Sequence, residues 1–380
     1  MNIYSGFEQG PIRPPSEASS LLIRVTRNCP WNRCVFCPVY KGQKFSRRSV
    51  DEVINDIDAV AAMVDKIFAE TGGTFPDNSS DHKFLKTLED KDMDAYYAAV
   101  HWINGGMESL FLQDANSLIL KTEDLVTILN HINKRFPFLK RITSYARSVT
   151  IDKKSDDEMK AIADAGLKRI HIGMESGSDN VLEMIDKGAT RYIHVKAGVK
   201  VKKAGISLSE YVMPGLGGKK YSHEHAVETA SALNSIEPDF IRIRTLAILE
   251  NTPLYDLWLS GKFEKISDME AAKELKLFIE NLKEMNSFIV SDHILNLFED
   301  INGNLKEMKA DMLSKIESFF SLSPQGQIVY QLGRRTGLFK GVDDMKDISR
   351  YSRALSMSEK LKLTPDNVDH VISEMMKRFV

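Results

Sequence analysis

Cysteine is almost missing from this chain: three residues in 380, at positions 29, 34 and 37. A disulfide framework is excluded, because three is odd and all three fall within nine residues. No apolar run approaches the ~20 residues needed to span a bilayer. Met1–Pro15 lacks the basic-then-apolar order of a secretory signal, so none is expected. An excess of one charge is missing too: 51 basic residues face 53 acidic ones, a net of −2. No overall field therefore favours nucleic acid or a membrane surface. A phosphate loop is absent, since Gly217 and Gly218 lead through Lys219 and Lys220 to Tyr221 rather than to Lys-Ser or Lys-Thr. There is no internal repeat and no low-complexity segment. Apolar content of 43% and charged content of 27% are those of a soluble globular chain, and reduced thiols point to the cytoplasm.

What is present is Cys29-Pro30-Trp31-Asn32-Arg33-Cys34-Val35-Phe36-Cys37. Buried cysteines packed as small apolar groups would be scattered, and these are not. A closed zinc site needs four donors, usually paired knuckles or added histidines. The next histidine is His82, and there is no second knuckle. Three thiolates suit an iron–sulfur cluster in which one iron has no protein ligand. Two other readings stay open: a zinc-dependent or zinc-stabilised protein with a distant fourth donor such as His171 or His293, and a non-catalytic iron–sulfur protein for electron transfer or sensing.

Around this loop the chain alternates. Short apolar runs at Leu21–Thr26, Ser109–Leu112, Arg141–Tyr145, Arg169–Gly173, Ile206–Met213 and Phe240–Arg244 predict strands. Between them, helical periodicity covers Val50–Glu70, Thr122–Phe136, Ser155–Ala165, His194–Ala204 and His223–Ser235. Such alternation predicts an α/β fold with parallel strands and right-handed crossovers. Residues 1–18 read as an N-terminal extension, 19–300 as the core, 71–104 as an insertion with a helix at Asp90–Trp102, and 301–380 as a helical C-terminal region. Asp268–Met285 predicts a helix, Phe288–Val290 a further strand, and Ser321–Gly326 a linker.

In parallel sheets function collects at the carboxyl ends of the strands. Here these ends are followed by Gln113, Asp114 and Asn116; by Gly173-Met174-Glu175-Ser176-Gly177-Ser178-Asp179; by Met213-Pro214-Gly215; by Arg244; and by Asp292 and His293. Arg242 and Arg244 share one face of their strand and need carboxylates if that face is interior. Asp292 and His293 are candidates for substrate binding or proton transfer, because histidine titrates near neutrality.

Cys-x4-Cys-x2-Cys after an apolar strand, with Phe36 before the last cysteine, resembles the radical S-adenosylmethionine (SAM) superfamily, whose commonest form has three residues in the first gap. The Glu175-Ser176-Gly177-Ser178-Asp179 stretch, continuing to Lys187-Gly188, resembles the elongator, methylthiotransferase and coproporphyrinogen-dehydrogenase branch. The resemblance covers about residues 20–300. It implies a partial (β/α)6 TIM-like barrel and a [4Fe–4S] cluster held by Cys29, Cys34 and Cys37. It also implies SAM on the open iron, cleaved reductively to a 5′-deoxyadenosyl radical that abstracts hydrogen from substrate. Gln113, Asp114 and Asn116 would lie at the amino end of SAM, and Glu175 and Ser176 along it. Phe36, Met213 and Gly215 would border adenine; separately from the resemblance, the shared face of Arg242 and Arg244 suits a polar cavity or the SAM carboxylate, with Arg244 as the candidate. A reductant such as flavodoxin or ferredoxin is implied. The substrate is not, and nucleic acid is not indicated.

Overall fold

The computed structural model describes residues 6–72 and 83–376. Gly73, Pro76 and Asn78–Ser80, which break the expected insertion, lie outside the described residues. The chain forms two compact units: one takes the chain to Asn32 with Val39–Ile172 and Lys200–Leu208, the other Arg33–Pro38, Gly173–Val199 and the chain from Ser209.

In the first unit β1 (Leu21–Arg24) is followed by a two-residue ribbon of β2 (Thr26–Arg27) and β3 (Ser46–Arg47). Then come α1 (Val50–Thr71) and α2 (Asp90–Asn104), β4 (Ser109–Gln113), α3 (Thr122–Arg135), β5 (Arg141–Ala146), α4 (Ser148–Lys153), α5 (Asp156–Asp164) and β6 (Leu167–Glu175). β1, β4, β5 and β6 pair in that order, all parallel, with Leu21 opposite Leu110 and Phe111 opposite Thr143. Every residue of β4 is buried, as expected of a strand covered on both faces. α1 starts where it must: Ser49 and Glu52 form a capping box, and Val53, Ile57, Val60 and Val64 make its buried stripe. Each such side chain, fully buried, contributes about 1.5–3 kcal/mol.

Beneath these strands Glu17 of the N-terminal segment is wholly buried, accepting from Ser20 at 2.6 Å and from Arg141 at 3.2 Å, with His171 3.7 Å away. Burial pushes its carboxyl up, but the nearby His171 ring, the hydrogen bond from Ser20 and the Arg141 charge outweigh this and hold it below the usual range.

The second unit continues with α6 (Asp179–Met184), α7 (Arg191–Lys203, which crosses from one unit to the other), β7 (Ser207–Val212), α8 (Gly218–Ile236), β8 (Phe240–Ile243), α9 (Pro253–Leu259), α10 (Asp268–Asn281), β9 (Phe288–Val290) and β10 (Gly303–Asn304). β7, β8 and β9 are parallel, and β10 runs antiparallel on β9. Four helices follow: α11 (Leu305–Phe320), α12 (Pro324–Arg335), α13 (Ile348–Lys360) and α14 (Val368–Met376). The expected linker at Ser321–Gly326 is not one. Ser323 caps α12 and Pro324 opens it, so Ser-Pro here starts a helix.

α12 carries two buried arginines. Arg334 donates to the carbonyls of Asn296 and Leu297 at 3.0 and 3.1 Å, and Arg335 to that of Leu295 at 3.0 Å while gripping Asp268 through two 2.9 Å bonds. The α/β class read from the alternation holds, with parallel strands and helical crossovers. Among the described residues no helix is long and apolar enough to cross a membrane.

Candidate functional site

Cys29 belongs to the first unit, and Cys34 and Cys37 to the second. None of the three is in a disulfide, and all are half-buried. On the first side the loop hangs from Asp114. Its buried carboxylate accepts from Arg24 Nε at 2.8 Å, from the Asn28 amide at 2.9 Å and from the Tyr40 hydroxyl at 2.9 Å. A Cβ on Gly10 would stand 2.3 Å from its Oδ1, so only glycine fits there. Burial, and then the Asp114 charge, hold the Tyr40 hydroxyl far above the usual phenol range, fixing it as a donor. Asn28 and Asn32 have φ of 69° and 46°, a left-handed backbone that asparagine tolerates. The Asn32 amide then points at Cys29 Sγ, 3.4 Å away, an N–H···S contact.

Gln113 and Asn116, expected beside Asp114 at the amino end of SAM, also spend their polar atoms on protein. Gln113 Oε1 accepts from the Gly10 amide at 2.8 Å, and its Nε2 donates to the Ile12 carbonyl at 2.7 Å. Asn116 donates to Thr150 at 2.8 Å and accepts from the Arg147 amide at 3.0 Å. All three side chains are buried. Asp114 holds the loop, Gln113 the N-terminal segment, and Asn116 the start of α4.

On the second side Val35 is held at both ends, donating to the Ile185 carbonyl and accepting from the Leu254 amide at 3.0 Å each. Val35, Phe36 and Met213 pack on a core of Val181, Ile185, Leu216 and Leu246. Lys187 Nζ stands 5.9 Å over the Phe36 ring and 3.0 Å from Glu175 Oε1. Glu175 itself has φ 65°, and its carbonyl accepts from the Met213 amide at 3.0 Å. A Cβ at Gly173 would stand 2.2 Å from Glu175 Oε1, so this glycine makes room for the carboxylate.

Ser176 is buried and bonds His225 Nδ1 at 2.8 Å; His225 Nε2 meets the Met213 carbonyl at 3.0 Å, so Nε2 carries the proton and Ser176 donates. Gly215 has φ 88° and donates its amide to Glu274 at 2.6 Å, which fixes the glycine-rich turn from α10. Glu210 of β7 is wholly buried with neither carboxyl oxygen hydrogen-bonded. Burial first, and the Glu175 charge second, hold it well above the usual carboxylate range against the pull of Lys187.

At the carboxyl ends of β8 and β9, Arg244 donates to Asp292 Oδ1 at 2.9 Å, and Arg242 lies 3.6 Å from Oδ2. The carboxylate that the two arginines required is therefore Asp292. His293 differs from expectation: burial, and then the Arg244 charge, lower it to about 4, so it does not titrate near neutrality. Asn296 ties the two strand ends, accepting from Thr245 and donating to the Ile243 carbonyl at 2.9 Å each.

A model of the radical SAM superfamily matches residues 23–230, more than half of the chain. The chain belongs to the radical SAM superfamily. Its relatives include the tRNA uridine(34) acetyltransferase of Methanocaldococcus infernus, 22% identical over 289 residues, covering 69% of this chain and 49% of the relative. The heme chaperone of Bacillus subtilis is 22% identical over 158 residues, 41% of each chain. Among solved structures, coproporphyrinogen III oxidase from Escherichia coli aligns with a TM-score of 0.44 and 13% identity over 69% of this chain and 51% of that one. The chain spans about half the length of the curated relatives it matches, or less.

The radical SAM superfamily uses a [4Fe–4S] cluster and SAM, and its enzymes typically need a reductant. The donor chemistry fits. Among the described residues no group of three or more His, Cys, Asp or Glu side chains is placed to hold a single metal ion. In a cubane the cysteines bind separate irons and need not meet at one point. For SAM the second unit offers an apolar wall at Phe36 and Met213 beside the charged pair Glu175 and Lys187, the mixture a nucleoside amino acid needs. Lys187, Glu210, His225 and Glu274 were not singled out from sequence. Only Lys187 had a signal there, as the end of the motif stretch.

Proposed function

We propose that Cys29, Cys34 and Cys37 hold the [4Fe–4S] cluster, and that Glu175 and Lys187, with Phe36 and the Met213–Gly215 turn, hold SAM against it. When bound, these groups supply a reductively generated 5′-deoxyadenosyl radical that takes hydrogen from a substrate. The chain's own residues position and shield. Asp114, Tyr40, Arg24 and Asn28 fix the first cysteine's loop; Ser176, His225 and Glu274 set the backbone that faces SAM; Val35 and Phe36 keep water from the apolar side. Asp292 and His293 belong to substrate binding, with His293 a neutral hydrogen-bonding group.

The observation that carries this reading is that the only three cysteines of the sequence fall on one nine-residue loop following β1, half-buried and in no disulfide. Flavodoxin or ferredoxin is the proposed electron donor, and the cytoplasm the proposed compartment. Anaerobic reconstitution tests the reading. About four iron and four sulfide per chain should bind, and Cys34→Ala should abolish the cluster's absorbance. Dithionite and SAM should then yield 5′-deoxyadenosine. Zinc in place of iron, or a loaded protein that leaves SAM intact, would sink it.

A further inference from the structure

β7, β8 and β9 run parallel, and at their carboxyl ends they gather charge that the cofactor roles do not use. Arg242 and Arg244, two apart at the end of β8, share one face. On the neighbouring strand Ser209 accepts from Arg242 Nε at 3.1 Å, and the Tyr211 ring lies 5.4 Å from the Arg244 guanidinium. The side chains of Arg242 and Arg244 are only 4% and 14% exposed, while Asp292, which both approach, is 37% exposed. Two guanidinium groups thus face one carboxylate. His293 beside them is neutral and adds no compensating or competing charge.

Arg242 Nη1 and Arg244 Nη2 are buried and make no hydrogen bond. Unmet guanidinium donors in a buried place are costly, and an arriving oxyanion removes that cost by accepting from both forks. Asp292 already shows the chemistry that fits: a planar oxyanion bridging the pair. It sits at the exposed side, from which it can give way.

We propose that Arg242 and Arg244 form the receptor for an anionic group, a carboxylate or a phosphate, on the molecule from which hydrogen is taken, with Asp292 as its internal placeholder. This rests on the radical reading above. It moves Arg244 from the cofactor carboxylate, where its place on the strand suggested it, to the substrate. The contacts of Arg244 are with Asp292, Tyr211 and the Ile243 carbonyl, and Lys187 supplies the cation beside Glu175.

Equilibrium dialysis of the reconstituted protein with labelled inorganic phosphate, and separately with labelled acetate, tests this, each with and without SAM. The wild type should bind one equivalent of at least one anion, whether or not SAM is present. Arg242→Gln and Arg244→Gln should weaken that binding more than about tenfold, Arg244→Lys should fall between because it keeps charge without the fork, and the exposed Arg350→Gln should change nothing. Asp292→Asn should tighten binding about tenfold by freeing the forks. A purely structural ion pair predicts the opposite, a lower Tm with no gain in anion binding, and this arm decides even if an arginine variant fails to fold. The proposal is overturned if neither anion binds the wild type, or if SAM displaces the anion one for one. Wild-type 5′-deoxyadenosine formation is scored separately, so a failure of the radical reading is distinguishable from a failure of the receptor.

Discussion

The Tyr40 hydroxyl donates to the Asp114 carboxylate at 2.9 Å, joining the residue just beyond the cysteine loop to the end of β4. Asp114 reaches the loop's other flank through the Asn28 amide, so one buried charge closes the loop from both ends. Asp114→Ala leaves Arg24, Tyr40 and that amide without their acceptor. Loss of a buried charged partner costs about 3–5 kcal/mol, here at the lower end because Arg24 keeps Glu8 at 2.7 Å. Urea unfolding should show this loss. Iron retained after gel filtration should fall in the same variant, and full iron content would refute the loop-closing role.

Glu210 and Glu17 are both buried acids but should move stability with pH in opposite senses. The Glu210 carboxyl is held above its unfolded value, so unfolding releases its proton and its contribution fades as pH rises past the ordinary glutamate range. Glu210→Gln should therefore gain on the wild type by about 1.4 kcal/mol per pH unit across that window until the folded acid ionises. Glu17 is held below its unfolded value, so its contribution is present at neutral pH and lost as pH falls through the acid range. Glu17→Gln should cost most near pH 7 and least near pH 3. Paired denaturation curves across pH check both signs.

His293 should resist protonation down to about pH 4. Its folded value lies below the unfolded one, so its share of stability is present above pH 6.5 and declines as pH falls toward 4. A ring resonance assigned by comparison with His293→Gln should show no midpoint between pH 6 and 8. A midpoint near 6.5 would restore it as a neutral-range proton carrier.

Gly173→Ala places a methyl where Glu175 Oε1 now lies, 2.2 Å from the new carbon. The carboxylate must leave Lys187, and a charged hydrogen bond of that kind is worth about 1.5–3 kcal/mol. SAM affinity should fall roughly tenfold or more. Calorimetric titration with SAM measures it, and the fold should survive because only a side chain has to move. Unchanged affinity would remove Glu175 from the cofactor's surroundings.

Much of this architecture was readable because local pattern and tertiary role coincide. The fully buried β4 reads as an apolar run, and the buried stripe of α1 follows its helical period. Where they diverge, reading failed. Ser323-Pro324-Gln325-Gly326 has loop composition yet opens α12, since capping and helix initiation use the same residues as turns. α8 begins at Gly218, five residues before the expected His223, because two glycines look like a turn. A Cβ on Gly218 would stand 2.7 Å from the Glu264 carbonyl, which explains its glycine. The short helices α4 and α9 span six and seven residues, too few for a period to show. At the site, sequence gives polarity after each strand but not the partner. Gln113, Asp114 and Asn116 are recognisably polar, whereas their commitment to Gly10, Arg24 and Thr150 depends on contacts 31 or more residues away. Glu274, which bonds Gly215 from 59 residues on, has no local signature at all.

Arg334 and Arg335 give the far end of the chain a stake in the reaction. By gripping the carbonyls of residues 295–297 they brace the turn that presents Asp292 and His293. Cropping the polypeptide before α12 should leave the cysteine loop able to take up iron while slackening that turn, so hydrogen transfer to substrate should fail before SAM cleavage does. Helices that read as a plain charged tail then act as a buttress whose removal uncouples the two half-reactions.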